Sequence, residues 1–123
     1  PVFYLQYAHA RICNILRYSK EGEYDNIKIF HEKLLIHPDE LSLMKHMVYF
    51  PELIELALGT LEPQLIVNYL QELASRFHRF YGQCRVITKD KELSKARLGL
   101  IKAVKIILNN GMNILGLSAP TKM

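Results

Sequence analysis

The stretch from Pro63 to Tyr81 constrains this chain most: Ile66, Tyr69, Leu70, Leu73, Phe77 and Phe80 recur there at helical steps. A 3.6-residue turn returns such positions to one face, whereas a strand would scatter them over both. Gln64, Asn68, Gln71, Ser75, Arg76 and Arg79 fall largely outside that face, so the segment reads as a long amphipathic helix with one side to be covered. Pro63 suits its first turn, where a missing N–H costs nothing, and Gly82 is the expected C-cap.

Other segments supply the cover. Over residues 3–19, Leu5, Ala8, Ile12, Ile15 and Leu16 form one stripe, and Tyr4, Tyr7, Arg11, Asn14 and Tyr18 form a second beside it. Pro38-Asp39-Glu40 and Pro51-Glu52 announce two short helices near 38–49 and 51–58, with a turn at Gly59-Thr60. A loop from Gln83 to about Asp90 precedes a last helix, whose stripe is Leu93, Ala96, Leu100, Val104, Ile107 and Leu108 and whose stop is Asn109-Asn110-Gly111. Between Ile27 and Ile36 the pattern fits a loose helix or a packed loop equally. The expected fold is all-α, an antiparallel helix bundle without a sheet.

With 123 residues, half of them hydrophobic, the chain suits one globular domain spanning 1–123. It begins at Pro1 with aromatic residues already in helical register, as a piece of a longer protein would. It has no apolar run of membrane-spanning length, and its Pro-Val-Phe-Tyr start shows no signal-peptide pattern, so membrane insertion and secretion are not expected. Cys13 and Cys84 have neither a disulfide framework nor zinc spacing, so reduced thiols in a cytoplasmic protein are expected.

Charge is unevenly spread. Residues 20–75 hold four Lys against ten acids, residues 76–123 hold ten Lys or Arg against two, and residues 1–19 carry only Arg11 and Arg17. If the two basic ends pack together they make a face that attracts phosphate. Lys91, Lys95, Lys102 and Lys105 share one side of the last helix, as either a solvated face or a phosphate-facing one. Exposed Lys and Arg are the norm, which favours solvation for them and for Arg76 and Arg79.

Catalytic constellations are missing. His9 and Cys13 stand four apart, but without an orienting third residue they read as core side chains rather than a nucleophile and its base. His31, His37, His46 and His78 show no metal-ligand spacing, and no phosphate-binding glycine loop occurs.

Three stretches carry a resemblance: Tyr4-Leu5-Gln6-Tyr7-Ala8-His9-Ala10-Arg11-Ile12; Tyr69-Leu70-Gln71-Glu72-Leu73-Ala74 running to Phe80-Tyr81; and Ala96-Arg97-Leu98 through Asn110-Gly111-Met112 to Leu115-Gly116-Leu117, before a Ser118-Ala119-Pro120-Thr121-Lys122-Met123 end. In order and spacing they resemble DALR, the C-terminal anticodon-binding domain of class I arginyl-tRNA synthetases. Lys20 to His37 has no motif to match, and Thr121-Lys122 stands where the family often has Glu-Arg.

The resemblance implies that the first helix, the loop after the long helix and the tail surround the anticodon loop of arginine tRNA. It nominates Tyr4, Tyr7, Arg11 and Met123 for the pocket of the middle base, with Tyr81 and Arg85 as neighbours, although some members carry an aromatic residue at the Arg85 position. Arginine codons have guanine second, so that base is cytosine. Tyrosine faces suit a splayed base, and carbonyls near Met123 suit its N4 amine. The HIGH and KMSKS signatures of class I catalysis are absent. The chain alone is therefore expected to be non-catalytic and without cofactors, its upstream catalytic domain using ATP with magnesium. Arginine tRNA and that domain are the expected partners, with no DNA and no membrane. The alternative reading is a helical protein–protein interaction module.

Overall fold

A computed structural model describes residues 2–21 and 32–123, with the side chains of Lys20 and Glu21 left aside. Helix α1 spans Val2–Glu21, α2 Pro38–Val48, α3 Phe50–Thr60, α4 Pro63–Gln83 and α5 Lys91–Ile114, with a 3₁₀ turn at Glu32–Leu34. Among the described residues there are helices and no strands, as expected of the all-α bundle. The ambiguous segment from Ile27 lies outside the described residues up to residue 31. Its described part holds the 3₁₀ turn at Glu32–Leu34, followed by the buried Leu35.

Helix α4 sits at the centre because its stripe is the strongest. It packs against α1, α2, α3 and α5, and Leu70, Leu73, Phe77 and Phe80 have no exposed surface. Leu5, Ala8 and Ile12 from α1 and Ala96, Leu100, Val104 and Leu108 from α5 complete the core, joined by Leu98, Ile101 and Met112. Burying a side chain of this size contributes about 1.5–3 kcal/mol.

The helix ends differ from the sequence expectation at three glycines. Gly59 lies within α3, and the turn comes at Leu61, whose φ of 55° is left-handed and lets the Glu62 N–H reach the Ala57 carbonyl at 3.0 Å. Gly82 lies within α4, which ends at Cys84 in extended conformation. Gly111 lies within α5, where a β-carbon would sit 2.7 Å from both Leu70 methyl groups. It permits close approach of α5 to α4 and does not stop the helix. The glycine that does stop α5 is Gly116, with φ of 75°. Its N–H reaches the Asn113 carbonyl at 3.0 Å and the Leu117 N–H reaches Met112 at 2.8 Å, a Schellman closure.

Candidate functional site

Burying Leu5, Ala8 and Ile12 turns the neighbouring α1 stripe toward the last turns of α4 and the C-terminal tail. Arg11 is its centre. The guanidinium carbon lies 4.3 Å from the Tyr81 ring centroid and 5.5 Å from that of Tyr7, within cation–π range. Its Nη1 stands 3.4 Å from His78 Nδ1. The His78 ring is surrounded by Tyr4 at 5.3 Å, Tyr7 at 5.6 Å and Phe77 at 5.2 Å. Burial, reinforced by the Arg11 charge, holds the His78 pKa below the ordinary histidine value. Among the described residues no carboxylate comes within ion-pair distance of Arg11.

The tail is tied to α1 by two polar side chains. Gln6 Nε2 donates to the Ser118 carbonyl at 3.0 Å and lies 3.2 Å from its hydroxyl. The buried His9 donates from Nδ1 to the Pro120 carbonyl at 3.0 Å, since a carbonyl can only accept. These bonds lay Thr121–Met123 alongside the helix and enclose a hollow of about 570 Å³ whose walls include Tyr7, Arg11, Asn14, Arg17, Lys122 and Met123. Here the two basic ends of the chain meet.

A second hollow of about 700 Å³ opens on the other side of Asn14, with Tyr18, Tyr81 and Arg85 in its walls. Its loop is braced from below. Arg97 Nη1 donates to the Arg85 carbonyl at 2.7 Å, and Arg97 Nε lies 2.8 Å from Glu40 Oε2. The buried Ser94 hydroxyl accepts the Thr88 N–H at 2.7 Å. Among the described residues no Asp or Glu side chain lines either hollow. Both have the size of a small-ligand site, with aromatic walls and cationic donors.

The six nominated residues are thus distributed in three ways. Tyr7, Arg11 and Met123 share the hollow beside the tail; Tyr81, stacked under Arg11, faces the other hollow with Arg85; Tyr4 lines neither and packs on His78. Tyr4, Tyr7, Tyr81, Arg85 and Met123 are exposed, and Arg11 is half-buried.

Comparison with known proteins decides the family: the model of the DALR anticodon-binding domain matches residues 5–123. The chain belongs to that family. Arginine–tRNA ligases from Geotalea daltonii and Salinibacter ruber are 46% and 42% identical to it over its whole length. The chain spans only 22% of each of those proteins. Among solved structures, an arginyl-tRNA synthetase from Thermus thermophilus superposes with a TM-score of 0.82 at 28% identity, covering 98% of this chain and 21% of that one. One from Campylobacter jejuni superposes with 0.81 at 28% identity, covering 100% and 26%. The matched relatives are ligases, and the DALR domain is their non-catalytic part.

Several residues that build the DALR face here were not singled out from sequence. His78 is one, although its place three residues before Tyr81 on α4 puts both on one side of that helix. His9 is read from sequence as a core side chain, and it is buried, but its bond to the tail, like that of Gln6, is not legible there, for nothing local shows that their partners lie over a hundred residues away. One basic group turns out to be structural: Arg76 bonds Glu72 at 2.9 Å and the Ser42 carbonyl at 3.0 Å, tying α4 to α2. Lys95 stays on an exposed face, with Glu92 at 3.5 Å.

Proposed function

We propose that this DALR domain binds the anticodon loop of arginine tRNA and selects cytosine at the middle position, within an arginine–tRNA ligase of the cytoplasm. The observation that carries this reading is Arg11, a cation stacked on Tyr81 beside Tyr7, open to a hollow and without a carboxylate partner among the described residues. Such a group lacks an anion, and an RNA loop supplies both phosphates and base edges. Tyr7 offers a face for a splayed base, each such stack contributing about 1–3 kcal/mol. Arg11 donates to the cytosine O2 or an adjacent phosphate, and the tail carbonyls accept from the N4 amine.

Chemistry then belongs to the remainder of the ligase, which joins arginine to tRNA using ATP with magnesium. That remainder is the second partner, with no cofactor, DNA or membrane assigned to the domain. No helix among the described residues is long and apolar enough to cross a membrane. The interaction-module reading would use the same tyrosine and lysine faces, and it predicts an affinity that changes little with ionic strength.

The test is binding to an arginine anticodon stem-loop, followed by fluorescence anisotropy. Replacing the middle cytosine is expected to weaken binding by about 1–3 kcal/mol. Affinity is also expected to fall steeply as salt rises, since phosphate contacts release counterions. Equal binding of both stem-loops would defeat the reading.

A further inference from the structure

An arginine recognises a base or phosphate only when its planar fork is presented in one orientation. The Tyr7 and Tyr81 rings attract the Arg11 guanidinium but do not fix its rotation, because cation–π attraction has little directionality within the ring plane. One directional contact remains, at His78. A guanidinium has no acceptor, so at 3.4 Å it is Arg11 Nη1–H that donates and His78 Nδ1 that accepts. The proton of the neutral ring is then on Nε2.

That tautomer has a cost, set against the contact it makes with Arg11. His78 Nε2 is buried and has no hydrogen-bond partner among the described residues. A buried donor left unpaired is rare and costly. The other tautomer would aim N–H against N–H and abolish the contact with Arg11. We propose that His78 is a positioning residue for Arg11, whose neutral imidazole accepts the guanidinium hydrogen at Nδ1 and orients the fork toward the hollow beside the tail.

The groups facing His78 bear on what happens when it is protonated. From α1 these are Tyr4, Tyr7 and Arg11, and from α4 Phe77 with Tyr81 one turn on. None is acidic. An imidazolium would therefore lose its acceptor and face a second cation without compensation, which expels Arg11 from its place. Burial and the Arg11 charge both keep the ring neutral below the ordinary value of 6.5.

The proposal rests on Arg11 contacting RNA, and the experiment separates the two. Arginine anticodon stem-loop binding is measured for the unchanged chain, Arg11→Ala, His78→Phe and His78→Asn. Phe fills the aromatic surroundings but accepts nothing, and should weaken binding about tenfold, the low end for a hydrogen bond to a charged group. Asn returns a carbonyl oxygen near the Nδ1 position and should recover most of that loss. As pH falls through the lowered His78 value, under 6.5, the unchanged chain should lose affinity, while the Asn variant should lose less. Loss in Arg11→Ala together with full binding by His78→Phe would overturn the proposal, as would identical pH profiles of the unchanged and Asn proteins.

Full binding by Arg11→Ala would instead defeat the RNA reading. Long-range proton–nitrogen NMR of the imidazole then decides the positioning role without RNA. It should show Nδ1 unprotonated, with a resonance that moves in Arg11→Ala; a proton on Nδ1 would refute the inference, and it is read even if the Phe variant does not fold.

Discussion

Arg11 packs on Tyr81 in the last turn of α4, Arg97 holds the loop that follows, and the two are used in opposite ways. Arg97 reaches the Glu40 carboxylate at 2.8 Å and the Arg85 carbonyl at 2.7 Å. Glu40 is 1% exposed and also accepts the His37 N–H that caps α2. That guanidinium is neutralised inside the framework. Arg11 meets two tyrosine rings and an imidazole, and no acid among the described residues. An arginine whose charge is answered within the fold holds parts together, whereas one cushioned by aromatics but left charged is available to an anion from outside. The two are linked, because Arg97 holds the backbone of the residue whose side chain, Arg85, lines the second hollow.

Arg97→Ala tests the contrast with the largest expected effect. It strands a buried carboxylate and frees the loop carbonyl, and breaking a buried pair in this way costs about 3–5 kcal/mol. Denaturant unfolding should show it directly. Arg97→Lys should recover only part, since an ammonium on a flexible stem does not reproduce the two-armed contact. A loss below about 1 kcal/mol would mean that the pair is solvent-screened and that the distinction between the two arginines is wrong.

Arg11→Ala should do the reverse. Stability should change by about 1 kcal/mol or less, the worth of its cation–π contacts. Stem-loop affinity should fall by roughly 2 kcal/mol, as for loss of a charge-assisted hydrogen bond. Should unfolding show the Arg11 variant as damaged as the Arg97 one, Arg11 would be framework too.

This contrast was only partly legible in the sequence. The core of α4 was, because apolar residues at helical steps leave one solution, and the α1 stripe through Tyr7 and Arg11 was visible for the same reason. The ends of helices were not. A glycine stops a helix only where the backbone turns left-handed, as at Gly116, and nothing local separates that case from Gly111, which is needed because Leu70 lies against it. Leu61 adopts the left-handed turn without being glycine, since Gly59 comes too early for the closure to Ala57. Long-range polar partners were hidden in the same manner. Arg97 and Glu40 are 57 residues apart, and Arg11 and His78 are 67 apart, so only the packed bundle reveals which arginine is answered and which is not.

Acidification gives the smallest effect and the sharpest division between the two sides. His46 belongs to the framework: its ring stacks on Tyr69 at 4.1 Å, its Nε2 donates to the Tyr69 carbonyl at 3.1 Å, and the Tyr69 hydroxyl donates back to the His46 carbonyl at 2.7 Å. Burial, with Arg76 nearby, lowers its pKa against the opposing pull of that backbone bond. His78 on the Arg11 side is lowered as well, again chiefly by burial. For both, the unfolded chain binds protons more readily, so their stabilising contributions are complete above pH 6.5 and decline as pH falls through the depressed folded values. The readouts should nevertheless part. His46→Gln, whose amide can keep the bond to the Tyr69 carbonyl, should make thermal stability less sensitive to acid and leave the pH profile of stem-loop binding unchanged. His78→Asn should flatten the binding profile. If His46→Gln flattened binding as much, protonation would be acting through general loosening of the bundle, and the Arg11 side would have no pH response of its own.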